Sequence, residues 1–221
     1  RHAIYAWKDH GLGVGIPDPD VVIQEIDVPG DGRFIVGSKV SVNGNGTWSY
    51  EYAVFNQNVD RAAGSWSIPV APGVTVTNQG QTIINHHSGE PYSTDPWVMS
   101  ASGSELLWST QTFAQNANAN ALRWSTMFNF RFVADQPPVT GAASIGLFKP
   151  GEESSVSVNV PVPATPEVEV CVGDLNDSGT VDGADLAILL GQWGGSGSGD
   201  LDGSGSVDGA DLAILLGAWG A

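Results

Sequence analysis

Residues 21–56 read VVIQEIDVPGDGRFIVGSKVSVNGNGTWSYEYAVFN, and this stretch sets the fold class. Two apolar runs, 21–28 and 33–42, are separated by Pro29-Gly30-Asp31-Gly32, residue types whose fixed or permissive φ suits a turn. In the next segment Trp48, Tyr50 and Tyr52 alternate with Ser49 and Glu51, the period of two expected of a half-buried strand. Short runs of the same kind recur downstream as SWSIPV, VTVTN, QTIIN, WVMSAS, ELLWST, ALRWST, MFNFRFVA, AASIGLFK and SVSVNV. Turn residues separate most of them, and no long helical period appears before residue 180. The predicted fold class is mainly β, an antiparallel β-sandwich over residues 21–160.

The phrase YEYAVFNQN followed by SWSIPVAPG resembles immunoglobulin-like and fibronectin-like sandwiches of secreted bacterial proteins. The aromatic residues follow from the strand reading. Trp48, Trp66, Trp108 and Trp124 fall inside strand patterns and are predicted to lie in the core. Trp97, beside Pro96 and downstream of Tyr92 in a polar loop, is predicted to be exposed with Tyr92 as a stacking platform for a polysaccharide.

Residues 1–20, RHAIYAWKDHGLGVGIPDPD, show no sustained period and are predicted to form an extended arm or capping strand whose Tyr5 and Trp7 need a packing partner. The glycines of GLGVG do not make a dinucleotide fingerprint, because the required spacing fails at Ile16 and Pro17 follows. Arg1, with no Met and no signal peptide before it, reads as the start of a processed or trimmed chain. In the other direction residues 161–172, beginning PVPATPEVEV, read as a stiff proline-containing linker.

Beyond the linker, in residues 173–221, the chain repeats itself. Residues 173–194, GDLNDSGTVDGADLAILLGQWG, recur as GDLDGSGSVDGADLAILLGAWG at 199–220, with GGSGSG at 194–199 as the turn between them. Calcium takes about six to eight oxygens, and a twelve-residue loop supplies them from positions 1, 3, 5, 7, 9 and 12, with glycine at 6 for the sharp turn. On that template the first copy offers Asp174, Asn176, Ser178, the carbonyl of Thr180, Asp182 and Asp185, around Gly179. The second offers Asp200, Asp202, Ser204, the carbonyl of Ser206, Asp208 and Asp211, around Gly205. Two calcium ions are expected. Leu186, Leu189, Leu190 and Trp193, and Leu212, Leu215, Leu216 and Trp219, fall at i, i+3, i+4 and i+7, one apolar face of a short helix in each copy. Neither helix can bury its stripe alone, so the two are expected to pack together with pseudo-twofold symmetry.

These two loop-helix copies resemble the dockerin family, duplicated calcium-binding modules of secreted bacterial proteins that dock onto cohesin domains. The resemblance covers residues 173–220 and implies secretion to the extracellular space or cell surface and a cohesin-like scaffold as partner. Two departures carry physical consequences. Position 5, usually acidic in the family, is Ser178 and Ser204, weaker ligands for calcium. The pair that in many dockerins selects a cohesin is Gly183-Ala184 and Gly209-Ala210, which suits close packing better than discriminating recognition.

Charge and cysteine usage narrow the functional classes. The formal net charge is −16, and the last 51 residues hold eight Asp and no Lys or Arg. A chain this acidic has no basic face for phosphates, so nucleic acid is excluded as a partner. No run approaches the length of a membrane-spanning helix. The single cysteine, Cys171, permits no internal disulfide and reads as a small buried hydrophobe. Asn45-Gly46-Thr47 is a glycosylation sequon in a turn.

Signs of catalysis are sparse. His86 and His87 before Glu90 form the one local cluster that could hold a transition metal, but adjacent strand residues face opposite ways. Among Glu51, Asp60, Glu90, Asp95 and Glu105 no sequence feature selects a carboxylate pair for glycoside hydrolysis. The chain is therefore expected not to be an enzyme. It reads as an extracellular structural or adhesive subunit that self-associates head to tail into a fibril. The alternative is a non-catalytic carbohydrate-binding component, tethered to a secreted enzyme complex through its C-terminal module.

Overall fold

The computed structural model describes residues 1–85, 89–166 and 171–220. It divides into two compact units, Arg1–Pro166 and Glu167–Ala221. No helix among the described residues is long and apolar enough to cross a membrane.

Among the described residues the first unit is mainly β, with ten strands in two antiparallel sheets. Strands β1 (Val22–Val28), β2 (Gly32–Val42), β3 (Trp48–Asn56), β8 (Thr126–Ala134) and β5 (Val76–Thr82) form one sheet in that spatial order. The other runs β10 (Ser155–Pro163), β9 (Pro138–Leu147), β4 (Ala63–Pro69), β7 (Glu105–Ser109) and β6 (Val98–Ser102). Alternation decides which side chains meet. Tyr50, Tyr52 and Val54 of β3, with Phe128, Phe130 and Phe132 of β8, face a core shared with Trp66 and Ile68 of β4 and Leu106 and Trp108 of β7. Tyr52 and Trp66 meet across the sheets at 5.7 Å between ring centroids, and the Tyr52 hydroxyl donates to the Pro161 carbonyl at 2.6 Å. The strands expected from residues 21–56 all form, with Tyr50 and Tyr52 buried as their alternation required and Trp48 partly buried against the same core.

Three expectations are corrected. Residues 1–20 are not an extended arm: Ile4–His10 form a short helix, α1. Ile4, Tyr5 and Trp7 cover the outer face of the first sheet at Ile35, Ala53 and Phe55, and this partner is what makes a helix of only seven residues stable. The segment ALRWST is not a strand but a turn, attached by a single bridge between Leu122 and Ala63. The linker does not begin at residue 161, because Pro161 and Pro163 belong to β10, opposite Thr140 and Pro138. Prolines are tolerated there because β10 lies at the edge of its sheet, where one side needs no amide donor.

The second unit carries two nine-residue helices, α2 (Gly183–Gly191) and α3 (Gly209–Gly217), each preceded by one of the repeated loops. Val181, Leu189, Val207 and Leu215 form its small buried core, with Cys171, Leu186 and Leu212 partly buried around it. The repeats engage reciprocally. A Cβ on Gly173 would sit 3.3 Å from Leu215 Cα, and one on Gly199 would sit 3.4 Å from Leu189 Cα, so each repeat opens against the other repeat's helix. The apolar stripe is narrower than its period predicts: Leu190, Trp193, Leu216 and Trp219 remain about half exposed. Two helices this short enclose only one buried leucine each, which leaves the last turn of each stripe outside.

Candidate metal centre and the aromatic sites

Each helix of the second unit begins with a reciprocal cap that also shapes the loop before it. Asp182 Oδ1 accepts from the Ala184 amide at 2.7 Å, and Asp208 Oδ1 accepts from the Ala210 amide at 2.8 Å. Asp185 and Asp211, three residues on, reach back to the amides of Asp182 and Asp208 at 2.9 and 2.8 Å, completing a capping box at both helices. The same two carboxylates gather the start of their loops. Asp185 Oδ1 accepts from Leu175 and Asn176 at 2.8 and 3.2 Å, and Asp211 Oδ1 from Leu201 and Asp202 at 2.7 and 3.1 Å. Both are fully buried. Their pKa values lie below the ordinary carboxylate range, chiefly because of the amides of Asp182 and Asp208, with the other loop amides adding to the effect against a smaller burial penalty.

The turns are built alike. Left-handed backbone occurs at position 4 (Asp177 and Gly203) and at position 6 (Gly179 and Gly205) of both loops. In the first loop Asp174 accepts from the amides of Ser178 and Gly179 at 3.0 and 2.7 Å, and Asn176 Oδ1 accepts from Ser178 at 2.9 Å. In the second, Asp200 Oδ2 accepts from Gly205 at 2.8 Å and Asp202 Oδ1 from Ser204 at 2.9 Å. The hydroxyls of Ser178 and Ser204 donate to the carbonyls of Thr180 and Ser206 at 3.1 and 3.2 Å, so positions 5 and 7 lie side by side in each loop.

The second loop brings Asp200, Asp202 and Asp211 together, with one carboxylate oxygen of each within 4.8 Å of the others. Asp200 Oδ1 is buried there and has no hydrogen-bond partner. A buried carboxylate oxygen without a donor is costly, and a hard cation among oxygen ligands satisfies it, so these residues fit a divalent ion of the calcium type. Asp208 stays outside this cluster as a helix cap. In the first loop Asn176 occupies the place of Asp202, leaving two carboxylates, Asp174 and Asp185, beside one amide oxygen.

In the first unit the aromatic expectations invert at two positions. Trp97 is buried, 3% exposed, with its indole Nε1 donating to the Asn120 carbonyl and its rings against Phe128 and Phe130. It is a core residue because Asn120, itself buried, supplies the acceptor that an indole needs when it leaves water. Trp124, expected in the core, is 59% exposed. The polar and apolar alternation in NANANALRW imitates a strand, yet the segment has no ladder partner beyond Leu122, so nothing turns Trp124 inward. Trp66 and Trp108 are buried as expected. Tyr92 is partly buried, and the Arg123 guanidinium lies over its ring at 3.5 Å.

His86 and His87 lie outside the described residues, and Glu90 lines a cleft of the first unit with Asp60. Glu51, Asp95 and Glu105 do not line that cleft. Cys171 is a free, partly buried thiol. No protein-family model matches this chain, and no curated protein matches it.

Proposed function

We propose that this chain is an extracellular, non-catalytic structural subunit whose C-terminal unit is a dockerin-like module holding two calcium ions. The observation that carries the reading is the second loop, where three carboxylates converge and one buried oxygen, Asp200 Oδ1, has no donor. The first loop repeats the same backbone turn with one carboxylate fewer. Bound calcium would supply the positive charge that eight aspartates in 51 residues otherwise lack. The chain's own residues do the rest: Asp185 and Asp211 tie each loop to its helix, and Asp174 and Asp200 close each turn through the amides at Gly179 and Gly205.

With α1 docked on its own sheet, residues 4–10 are not free to pair with a neighbouring copy. The surface we assign to a head-to-tail contact is the pair of half-exposed patches Leu190 with Trp193 and Leu216 with Trp219, which the repeat presents twice. We assign the sandwich of a second copy as its partner. The edge strand β6 supports this assignment, being exposed along its whole length and carrying Val98 and Met99. A contact between two different surfaces of identical chains propagates unless its rotation happens to close. Sedimentation of the full chain with calcium and with EGTA tests the proposal. Concentration-dependent growth with calcium, lost in Trp193→Ala with Trp219→Ala, is expected. A monomer in both buffers overturns assembly and favours a cohesin-like scaffold as the partner.

A further inference from the structure

A cleft of about 510 Å3 opens in the first unit, within the ~300–1,000 Å3 usual for small-ligand sites. Its lining includes Asp60, Asn85, Tyr92, Arg123, Trp124 and Lys149. Among the described residues of this unit Trp124 is the one exposed tryptophan, with Trp66, Trp97 and Trp108 buried and Trp7 and Trp48 partly so.

That exposure is built into the fold. Asn56, fully buried, holds the turn at both ends: its Nδ2 donates to the Leu122 carbonyl at 3.0 Å, and its backbone carbonyl accepts from the Ser125 amide at 2.8 Å. Only Arg123 and Trp124 stand between these anchors. Leu122 exchanges both backbone hydrogen bonds with Ala63, at 2.8 and 3.2 Å. Ser125 carries φ of 56°, and Ala62, also lining the cleft, carries φ of 57°. The other non-glycine residues with left-handed backbone among those described are Asn78 and Asp177, so two of four fall in this cleft. Left-handed backbone at a non-glycine residue is strained, and such strain clusters at ligand sites.

The polar lining sets the ligand's charge. Lys149 Nζ lies 2.9 Å from both carboxylate oxygens of Asp60, and Arg123 stacks on Tyr92. With Glu90 the described lining holds two acids and two bases, a balance that suits an occupant without net charge. An exposed indole beside carboxylate, amide and ammonium groups matches a ring with an apolar C–H face and a rim of hydroxyls.

We propose that this cleft binds a neutral pyranose unit of a glycan, stacked on the Trp124 indole with its hydroxyls bonded to Asp60 and Asn85. All of these residues belong to the first unit, so the inference stands independently of calcium. Affinity electrophoresis of the full chain tests it, in gels containing hydroxyethyl cellulose, galactomannan, xylan or polygalacturonate. Retardation by at least one of the three neutral polymers, unchanged by EGTA, is expected. Trp124→Ala weakens it at least tenfold, and Asn85→Ala, which leaves the indole in place, weakens it severalfold. Trp193→Ala leaves it unchanged. The proposal is overturned by no retardation in any neutral gel, by retention in both cleft variants, or by retention only in polygalacturonate.

Discussion

Asp200 and Asp211 share one carboxylate cluster but are held in opposite ways. Asp211 is satisfied by the amides of Leu201, Asp202 and Asp208, whereas Asp200 has Oδ1 buried with no donor. Asp211 is thus part of the fold of its loop, and Asp200 is the residue with most to gain from an ion.

Substitution at the two positions therefore has different consequences. Calorimetric titration of the full chain is expected to show two calcium sites, the one with Asp202 at least as tight as the one with Asn176. Asp200→Asn removes one site, yet in EGTA it unfolds at the same or a higher temperature than the parent, because the charge on a buried oxygen without a donor is lost. Asp211→Ala lowers the EGTA melting temperature as well. A parent chain that takes up no calcium at millimolar concentration ends the calcium reading.

Acid sensitivity follows from Asp185 and Asp211. Their folded pKa values are depressed by backbone amides, so the stability they contribute is fully present above the unfolded carboxylate pKa of about 4 and is lost as pH falls through the lower folded values. In EGTA the helical circular dichroism of the full chain is expected to hold from pH 7 to about pH 4 and to decline below. Asp211→Asn flattens part of that decline, and the parent-minus-variant difference removes the general relief of repulsion among the other aspartates. A difference centred above pH 5 contradicts the assignment.

Trp97 and Trp124 exchange the roles their sequence contexts predict. Trp97→Ala empties a packed site against Phe128 and Phe130 and is expected to cost about 3–5 kcal/mol in urea unfolding of the full chain. Trp124→Ala, at an exposed position, is expected to stay within about 0.5 kcal/mol of the parent. Equal losses for the two variants would remove the structural distinction on which the cleft depends.

Gly173 tests the reciprocal packing of the repeats. Its φ of 109°, together with the 3.3 Å that would separate an added Cβ from Leu215 Cα, leaves no relaxed place for a methyl group. Gly173→Ala is expected to destabilise the second unit by about 1–3 kcal/mol. Gly183→Ala, with open space around the new methyl at the start of α2, is expected to be neutral or stabilising. Melting of the helical signal in calcium compares the two.

The strands from Val22 to Asn56 were legible in the chain alone, because alternation along a half-buried strand is a local property. So were the two short helices, because their apolar residues recur at helical spacing after each loop, whereas from sequence the capping carboxylates read only as ligands. The sharp turn of each loop was readable as well, since Gly179 and Gly205 stand at the same position of both copies. What residues far apart in the chain do to one another emerged only on folding. The outer face of the first sheet turned residues 4–10 into a helix, Asn120 drew Trp97 into the core, and Asn56, from both its side chain and its backbone, held Trp124 out of it. The orphaned oxygen of Asp200 belongs to the same class, because whether a carboxylate finds a donor depends on which amides the folded loop brings to it.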